Sequence, residues 1–219
     1  MSLIRVLTSH NDSEFVPMIH SEENLLWTKL ENYQCKHYPL TKEDNAYCPV
    51  AYNLNPIMTL FGKDESIITL TCEVEISQRK IIKKTDIQTA LASLVGLIMA
   101  TSACPSLDGF RPMAASHHPF SSDSETPMRS IAMYLMGQFL RSQRGLSTDF
   151  SLKKYNDLFK EISEMNHDFA TRIKSRKEKD AGVNALIILD IFAQMNQTLN
   201  PEHWLKAIDE FYCSPFWHT

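Results

Sequence analysis

The spacing of apolar residues along the chain predicts one β-hairpin followed by a series of amphipathic helices. In residues 66–84, apolar positions alternate with mostly polar neighbours, which is the two-residue period of a half-buried strand. The alternating apolar residues are Ile68, Leu70, Cys72, Val74 and Ile76. The polar stretch 77–80 predicts the turn, and Ile81 and Ile82 predict the returning strand.

The first predicted helix follows a cysteine–proline pair. Cys48 stands where an N-cap residue would, and Pro49 stands at the first helical position, where a missing N–H costs nothing. The helix should run to about Phe61, and Pro56 predicts a kink or an early end.

A capping signal directly after the hairpin predicts the central helix. Thr85 and Gln88 have the spacing of a capping box. The helix that they open contains the most apolar run of the chain, residues 90–103, and should end near Cys104 and Pro105. About 14 residues are too few to span a bilayer, so the run indicates a buried helix.

The remainder of the chain is predicted to be helical. Ser122 and Glu125 form a second capping-box candidate, and its helix should end at Gly145. The next helix has apolar residues at steps of three and four positions, and residues 180–197 predict another helix. Asn200 opens a last short helix. The stepped residues are Leu152, Tyr155, Phe159, Ile162, Phe169 and Ile173.

These elements predict an α+β fold that is mainly α. A small N-terminal antiparallel β element should pack on a bundle of about five helices. Residues 1–84 would form a β-containing part with one short helix, and residues 85–219 the helical bundle, together making one compact domain of a 219-residue chain. The stretches 3–7 and 15–19 are apolar and could be short strands.

Charge and composition narrow the classes of protein. The formal net charge of −4 disfavours a general electrostatic grip on nucleic acid or on anionic lipid. The basic cluster at residues 172–179 is interpreted as a solvated helix end. The N-terminal sequence has no export signal, so a cytoplasmic protein with reduced thiols is expected, and no membrane partner. A homo-oligomer stays open.

The candidate chemistry lies in cysteines and one histidine. Cys48, Cys104 and His117, with Cys35 as a fourth, are ligands of the type that zinc or iron prefers. No two of them stand at a recognised metal-motif interval, and three hypotheses stay open. The chain could bind a metal ion, it could be a non-catalytic interaction or scaffold protein whose cysteines are simply buried, or it could be a thiol redox protein. Motifs typical of nucleotide-binding loops are absent from the sequence.

One carboxylate interrupts an apolar helix face. Asp190 falls on a stripe that the spacing turns inward, and a buried carboxylate needs a partner or a raised pKa. Arg129 or Arg111 could supply that partner. A structural ion pair and a catalytic acid both fit this pattern. The other residues of the stripe are Val183, Leu186, Ile187 and Ile191.

Four short motifs resemble those of an uncharacterised bacterial protein family. They are residues 47–51 (YCPVA), 96–105 (GLIMATSACP), 111–113 (RPM) and 117–120 (HHPF). The resemblance covers roughly residues 30–195 and implies no known activity. Family members have a cysteine where this chain has Tyr38 and an Arg-Phe pair where it has Ala115 and Ser116. The resemblance therefore implies a change at any site that used those positions.

Overall fold

The structure is a computed structural model that describes most of the chain after residue 24. The described ranges are 25–36, 39–43, 45–61, 64–76, 79–122, 125–176, 181–198, 206 and 208–218. The predicted strands at 3–7 and 15–19 and most of the helix predicted after Asn200 lie outside these ranges.

The predicted hairpin is present. Strand β1 (Thr69–Ile76) pairs antiparallel with β2 (Arg79–Asp86). Leu70, Cys72 and Val74 are buried, so the alternation identified the inner face correctly. The turn is shorter than predicted, because Arg79 and Lys80 already pair with β1 and Lys80 forms an ion pair with Glu73 across the two strands.

Helix α1 (Pro49–Phe61) has the predicted bounds. Pro56 does not end it. Two short 3-10 turns, Leu25–Thr28 and Leu30–Asn32, precede the helix and pack beside it. The Cys48 amide donates to the Thr28 carbonyl oxygen at 2.8 Å, which fixes the start of α1 against the first of these turns.

Helix α2 (Ile87–Thr101) lies at the centre of the molecule and contacts α1, both strands and the later helical segments 105–110, 113–116 and 181–198. Its start differs from the prediction by one residue. β2 continues to Asp86, and the Asp86 carboxylate caps the helix by accepting from the Thr89 amide at 2.9 Å. The helix also ends earlier than Cys104, because Ala103 has a positive φ of 63°.

A 3-10 segment (Pro105–Phe110) and a short helix α3 (Met113–Ser116) follow α2. Helix α4 spans Glu125–Gln143. Its predicted capping box is confirmed, since the Glu125 carboxylate accepts from the Ser122 amide at 2.9 Å and the Ser122 hydroxyl accepts from the Glu125 amide at 3.2 Å.

Helices α5 (Lys153–Lys174) and α6 (Ala181–Thr198) pack on each other, and α6 also packs on α2. Tyr155, Phe159, Phe169 and Ile173 of α5 are buried as the spacing predicted. The chain ends in a 3-10 turn (Glu210–Tyr212) and a helical turn (Pro215–His218).

The architecture is α+β and mainly α, as predicted. The hydrophobic core joins one face of the hairpin to α1, α2, α5 and α6. No single helix in the described ranges combines the length and apolar character needed to cross a membrane.

Candidate functional site

A cavity of about 560 Å³ lies among α2, α4, α5, α6 and the segment between α2 and α4. Its walls are mostly apolar. Ala92 and Gly96 of α2, Met133 of α4, Phe159 of α5 and Leu189 of α6 contribute to them. The volume falls within the range of small-molecule sites, and convergence of several helices on one apolar space is a usual setting for such a site.

The loop after α3 closes one side of this cavity. The Phe120 amide donates to the Ser93 hydroxyl of α2 at 2.9 Å, and the imidazole of His117 hydrogen-bonds the Ser93 backbone. Pro119 is buried, and Phe120 adopts a positive φ of 61°. Two contacts to one residue of the central helix therefore hold the loop in place.

Both histidines of the loop line the cavity. Burial lowers the pKa of His117 to about 4, against the opposing effect of its hydrogen bond to Ser93, so this imidazole is neutral at pH 7. His118 is half-buried, and its Nδ1 atom is buried without a hydrogen-bond partner among the described residues. A buried polar atom of this kind is available to a ligand.

Two cations stand at the polar rim of the cavity, at opposite ends of the same loop. Arg129 of α4 donates from Nη1 to the Ser116 carbonyl oxygen at 3.4 Å. Lys83 of β2 places its Nζ 5.6 Å from the centre of the Phe120 ring. Among the described residues that line the cavity there is no Asp or Glu.

One carboxylate lies near this rim without lining the cavity. Glu125 is exposed and is held by Ser122 in the capping box. Hydrogen bonds from the Ser122 amide and hydroxyl lower the pKa of Glu125, and the nearby guanidinium of Arg129 acts in the same direction. The described rim thus carries cations beside an exposed carboxylate that Ser122 already holds.

The three predicted cysteine ligands lie in a separate region. Cys48 and Cys104 are buried and Cys35 is half-buried. Burial, helped by electrostatic interactions with Cys48, Asp168 and Cys104 and opposed by Arg172, raises the pKa of Cys35 to about 12, so the thiol stays protonated at pH 7. Cys35 is therefore within electrostatic range of the other two cysteines. The five cysteines of the chain form no disulfide.

Two charged residues near Cys35, Asp168 and Arg172, were not predicted from the sequence to lie there. Asp168 accepts from the Lys36 amide at 3.0 Å. Arg172, 1% exposed, donates from Nη1 to the carbonyl oxygens of Trp27 at 2.7 Å and of Lys29 at 3.0 Å.

The interpretation of residues 172–179 as a solvated helix end is therefore wrong for Arg172. The residue stands three positions after Phe169 on the inner face of α5, where its charge binds backbone carbonyl groups. The three-residue step from Phe169 to Arg172 could have predicted from the sequence that Arg172 faces inward.

The structure does not assemble the predicted metal centre. Among the described residues, no group of three or more His, Cys, Asp or Glu side chains could hold a metal ion. His117 belongs to the cavity, whose lining includes none of the cysteines.

The predicted ion pair of Asp190 with Arg129 or Arg111 is wrong. Asp190 is half-buried and accepts from the Ser163 hydroxyl at 2.7 Å and from Gln194 Nε2 at 2.8 Å. Arg129 and Arg111 are both exposed, and Arg111 instead pairs with Asp108 at 3.4 Å.

The facing of α6 explains this correction. Ile187 and Ile191, which the apolar stripe placed inside, are 47% and 51% exposed, whereas Ala185, Leu186 and Ala193 are buried. The buried face of the helix is therefore rotated away from Ile187 and Ile191. Asp190 therefore lies at the edge of the buried face, where neutral side chains satisfy it.

Comparison with known protein families identifies the family of this chain. Residues 5–212 match the family described as a domain of unknown function (DUF6901), so the chain belongs to that family. Neither a curated protein nor a solved structure shows significant similarity to it.

Proposed function

We propose that the protein binds a small, largely apolar molecule in the cavity among α2, α4, α5 and α6. The observation that carries the proposal is the cavity itself, a space of about 560 Å³ with apolar walls and a few polar groups at one side. An apolar ligand gains from leaving water for such a space, roughly in proportion to the apolar area that it buries.

The loop that carries His117 and His118 would orient the ligand. Its attachment to Ser93 keeps the polar groups on one side, so a ligand with one polar end enters in one orientation. The neutral His117 is already bonded to the Ser93 backbone, whereas His118 Nδ1 has no partner within the described ranges. His118 is thus the better placed histidine for a ligand contact.

Two substitutions on α4 form a matched test. Met133 lines the cavity, and Met136 is 60% exposed on the same helix. Met133→Trp should fill the cavity and abolish saturable binding of the neutral fluorophore 1-aminoanthracene, whereas Met136→Trp should leave it unchanged. Lack of saturable binding by the unsubstituted protein, or equal binding by the Met133→Trp protein, would refute the proposal.

A thiol-bound zinc or iron ion is a second proposal. Its support is that Cys35 senses the charges of both Cys48 and Cys104, although the described residues offer no complete ligand set. Elemental analysis of protein purified without a histidine tag tests it. Stoichiometric metal that disappears in the Cys104→Ser protein would support it, and metal-free protein with reducible thiols would refute it.

A bacterial, cytoplasmic setting stays a prediction.

A further inference from the structure

The cavity has an asymmetric charge distribution that bears on the class of ligand. Its walls are apolar, while its polar rim carries Lys83 and Arg129 and, among the described lining residues, no acid. Both cations are exposed, and each touches the 116–120 loop, so both lie beside the same stretch of backbone. A ligand with its apolar part inside would meet these charges with its outer end.

The present contacts of the two cations are weak enough to be exchanged. The hydrogen bond from the Arg129 side chain to the Ser116 carbonyl oxygen is long at 3.4 Å. Lys83 stands over the Phe120 ring at 5.6 Å, and a cation–π contact at an exposed site is weak. A carboxylate offers both groups a stronger, charge-assisted hydrogen bond.

The acid described beside this rim is already engaged in hydrogen bonds. Glu125 is held by the Ser122 capping box on the exposed side and does not line the cavity. The described residues that do line the cavity include no Asp or Glu. His117 is half-buried and hydrogen-bonded to the Ser93 backbone, and as a neutral imidazole it adds no charge to the rim. His118 adds a buried nitrogen that can accept a hydrogen bond or, when protonated, donate one.

We infer that the ligand is an anionic amphiphile, an apolar chain or ring system ending in a carboxylate-type group that Lys83 and Arg129 bind at the rim. This inference rests on the proposed function of the cavity. It adds the recognition of charge, which an apolar cavity alone does not provide.

Octanoate and 1-octanol test the inference, because they share an alkyl chain and differ in the charge of the head group. Calorimetric titration at pH 7.4 should show octanoate binding at least about threefold tighter than octanol, a preference that shrinks as salt is added. Lys83→Met and Arg129→Met should each weaken octanoate binding by about threefold to tenfold and leave octanol binding nearly unchanged.

The matched control is Lys84→Met. Lys84 neighbours Lys83 on β2, is exposed and does not line the cavity, so its substitution should alter neither ligand's affinity. Circular dichroism spectra and melting curves establish that each variant is folded. Lys83→Gln, which keeps a polar side chain, replaces Lys83→Met if the latter fails to fold.

The remaining outcomes decide the class of ligand, the place where the anion binds and the function of the cavity. Equal affinity for both ligands, or tighter binding of octanol, with both lost in the Met133→Trp protein, overturns the anionic class and leaves the proposed function standing. Octanoate binding that survives Met133→Trp refutes this site for the anion. Binding of neither ligand, together with no saturable 1-aminoanthracene binding, overturns the proposed function as well.

Discussion

Single side chains at helix ends determine how the elements of this protein are joined. Asp149 is the clearest case. Its carboxylate accepts from the Ser151 hydroxyl, from the Lys154 amide at 2.7 Å and from the Tyr134 hydroxyl at 2.9 Å. Its own amide donates to Gln138 Oε1 at 2.9 Å. One residue therefore caps α5 and ties its start to α4.

Asp149→Ala should destabilise the protein by about 1–2 kcal/mol, the usual cost of losing a helix cap together with a side-chain hydrogen bond. Urea denaturation followed by circular dichroism measures the change. Glu161→Ala is the control, because Glu161 is exposed on the same helix and should change stability by less than about 0.5 kcal/mol. Equal effects of the two substitutions would contradict the capping role.

The same residue predicts a pH dependence. Although burial opposes it, hydrogen bonds from Ser151, Lys154 and Tyr134 lower the pKa of Asp149 to about 2. An unfolded-state aspartate has a pKa of about 3.9, so the stabilisation is complete above that value and is lost as the pH falls towards 2. Between pH 4 and pH 2 the unsubstituted protein should therefore lose more stability than the Asp149→Asn protein does. Parallel stability curves would refute this.

Arg172 is the second residue with an effect beyond its own helix. It binds the carbonyl oxygens of Trp27 and Lys29 and so fastens the first 3-10 turns to α5. Arg172→Met keeps the apolar volume but loses both charge-assisted hydrogen bonds, and it should cost about 2–3 kcal/mol. Lys174→Met, at an exposed position of α5, is the matched control. Chemical denaturation measures the free energy of unfolding of both variants. An Arg172→Met protein as stable as the unsubstituted protein would show that the two hydrogen bonds of Arg172 add no stability.

At the scale of elements, close packing of α6 depends on small residues. A Cβ atom at Gly182 would lie 2.7 Å from Met58 Sδ of α1 and 3.6 Å from Ile173 Cγ2 of α5. The end of a methionine side chain can move, but a larger side chain at position 182 would displace helices. The absence of a side chain therefore permits α6 to approach both neighbours.

Two glycine substitutions should consequently act in opposite directions. Gly182→Leu overfills the contact with α1 and should destabilise the protein by about 1–3 kcal/mol. Gly137 lies inside α4 with nothing within 4 Å of its would-be Cβ, so Gly137→Ala should stabilise by about 0.5–1 kcal/mol through helix propensity. Thermal melts of both variants test this, and a shift of the same sign for both would count against the packing described for α6.

At the scale of the whole molecule, ligand binding and stability are linked. A ligand that binds only the folded state at 100 times its dissociation constant stabilises that state by about 2.7 kcal/mol. For a chain of this size, such a gain raises the melting temperature by roughly 5–10 °C. Octanoate should produce this shift in the unsubstituted protein and not in the Met133→Trp protein. An equal shift in both would place the binding outside the cavity.

The division into residues 1–84 and 85–219 stays a prediction at this scale, and so does the oligomeric state. Among the described elements, α2 contacts both strands of the hairpin as well as α1 and α6. The segment 27–36, which contains Cys35, is hydrogen-bonded to Asp168 and Arg172 of α5.

The sequence alone determined the elements of this protein. Alternation of Leu70, Cys72 and Val74 identified the inner face of β1, and the capping box at Ser122 identified the start of α4. The reason is that these signals are local. A strand period, a cap hydrogen bond and a proline at a first helical turn each involve residues only a few positions apart.

Only the tertiary structure decided which residues meet. The rotation of α6 depends on contacts with α1, α2 and α5, so the apolar spacing around Asp190 assigned Ile187 and Ile191 to the wrong side. The cavity exists because distant helices leave a space, and the rim pairs Lys83 with Arg129 across 46 positions of sequence. Separations of that length leave no trace in local periodicity, so the sequence alone could not predict which of these residues meet.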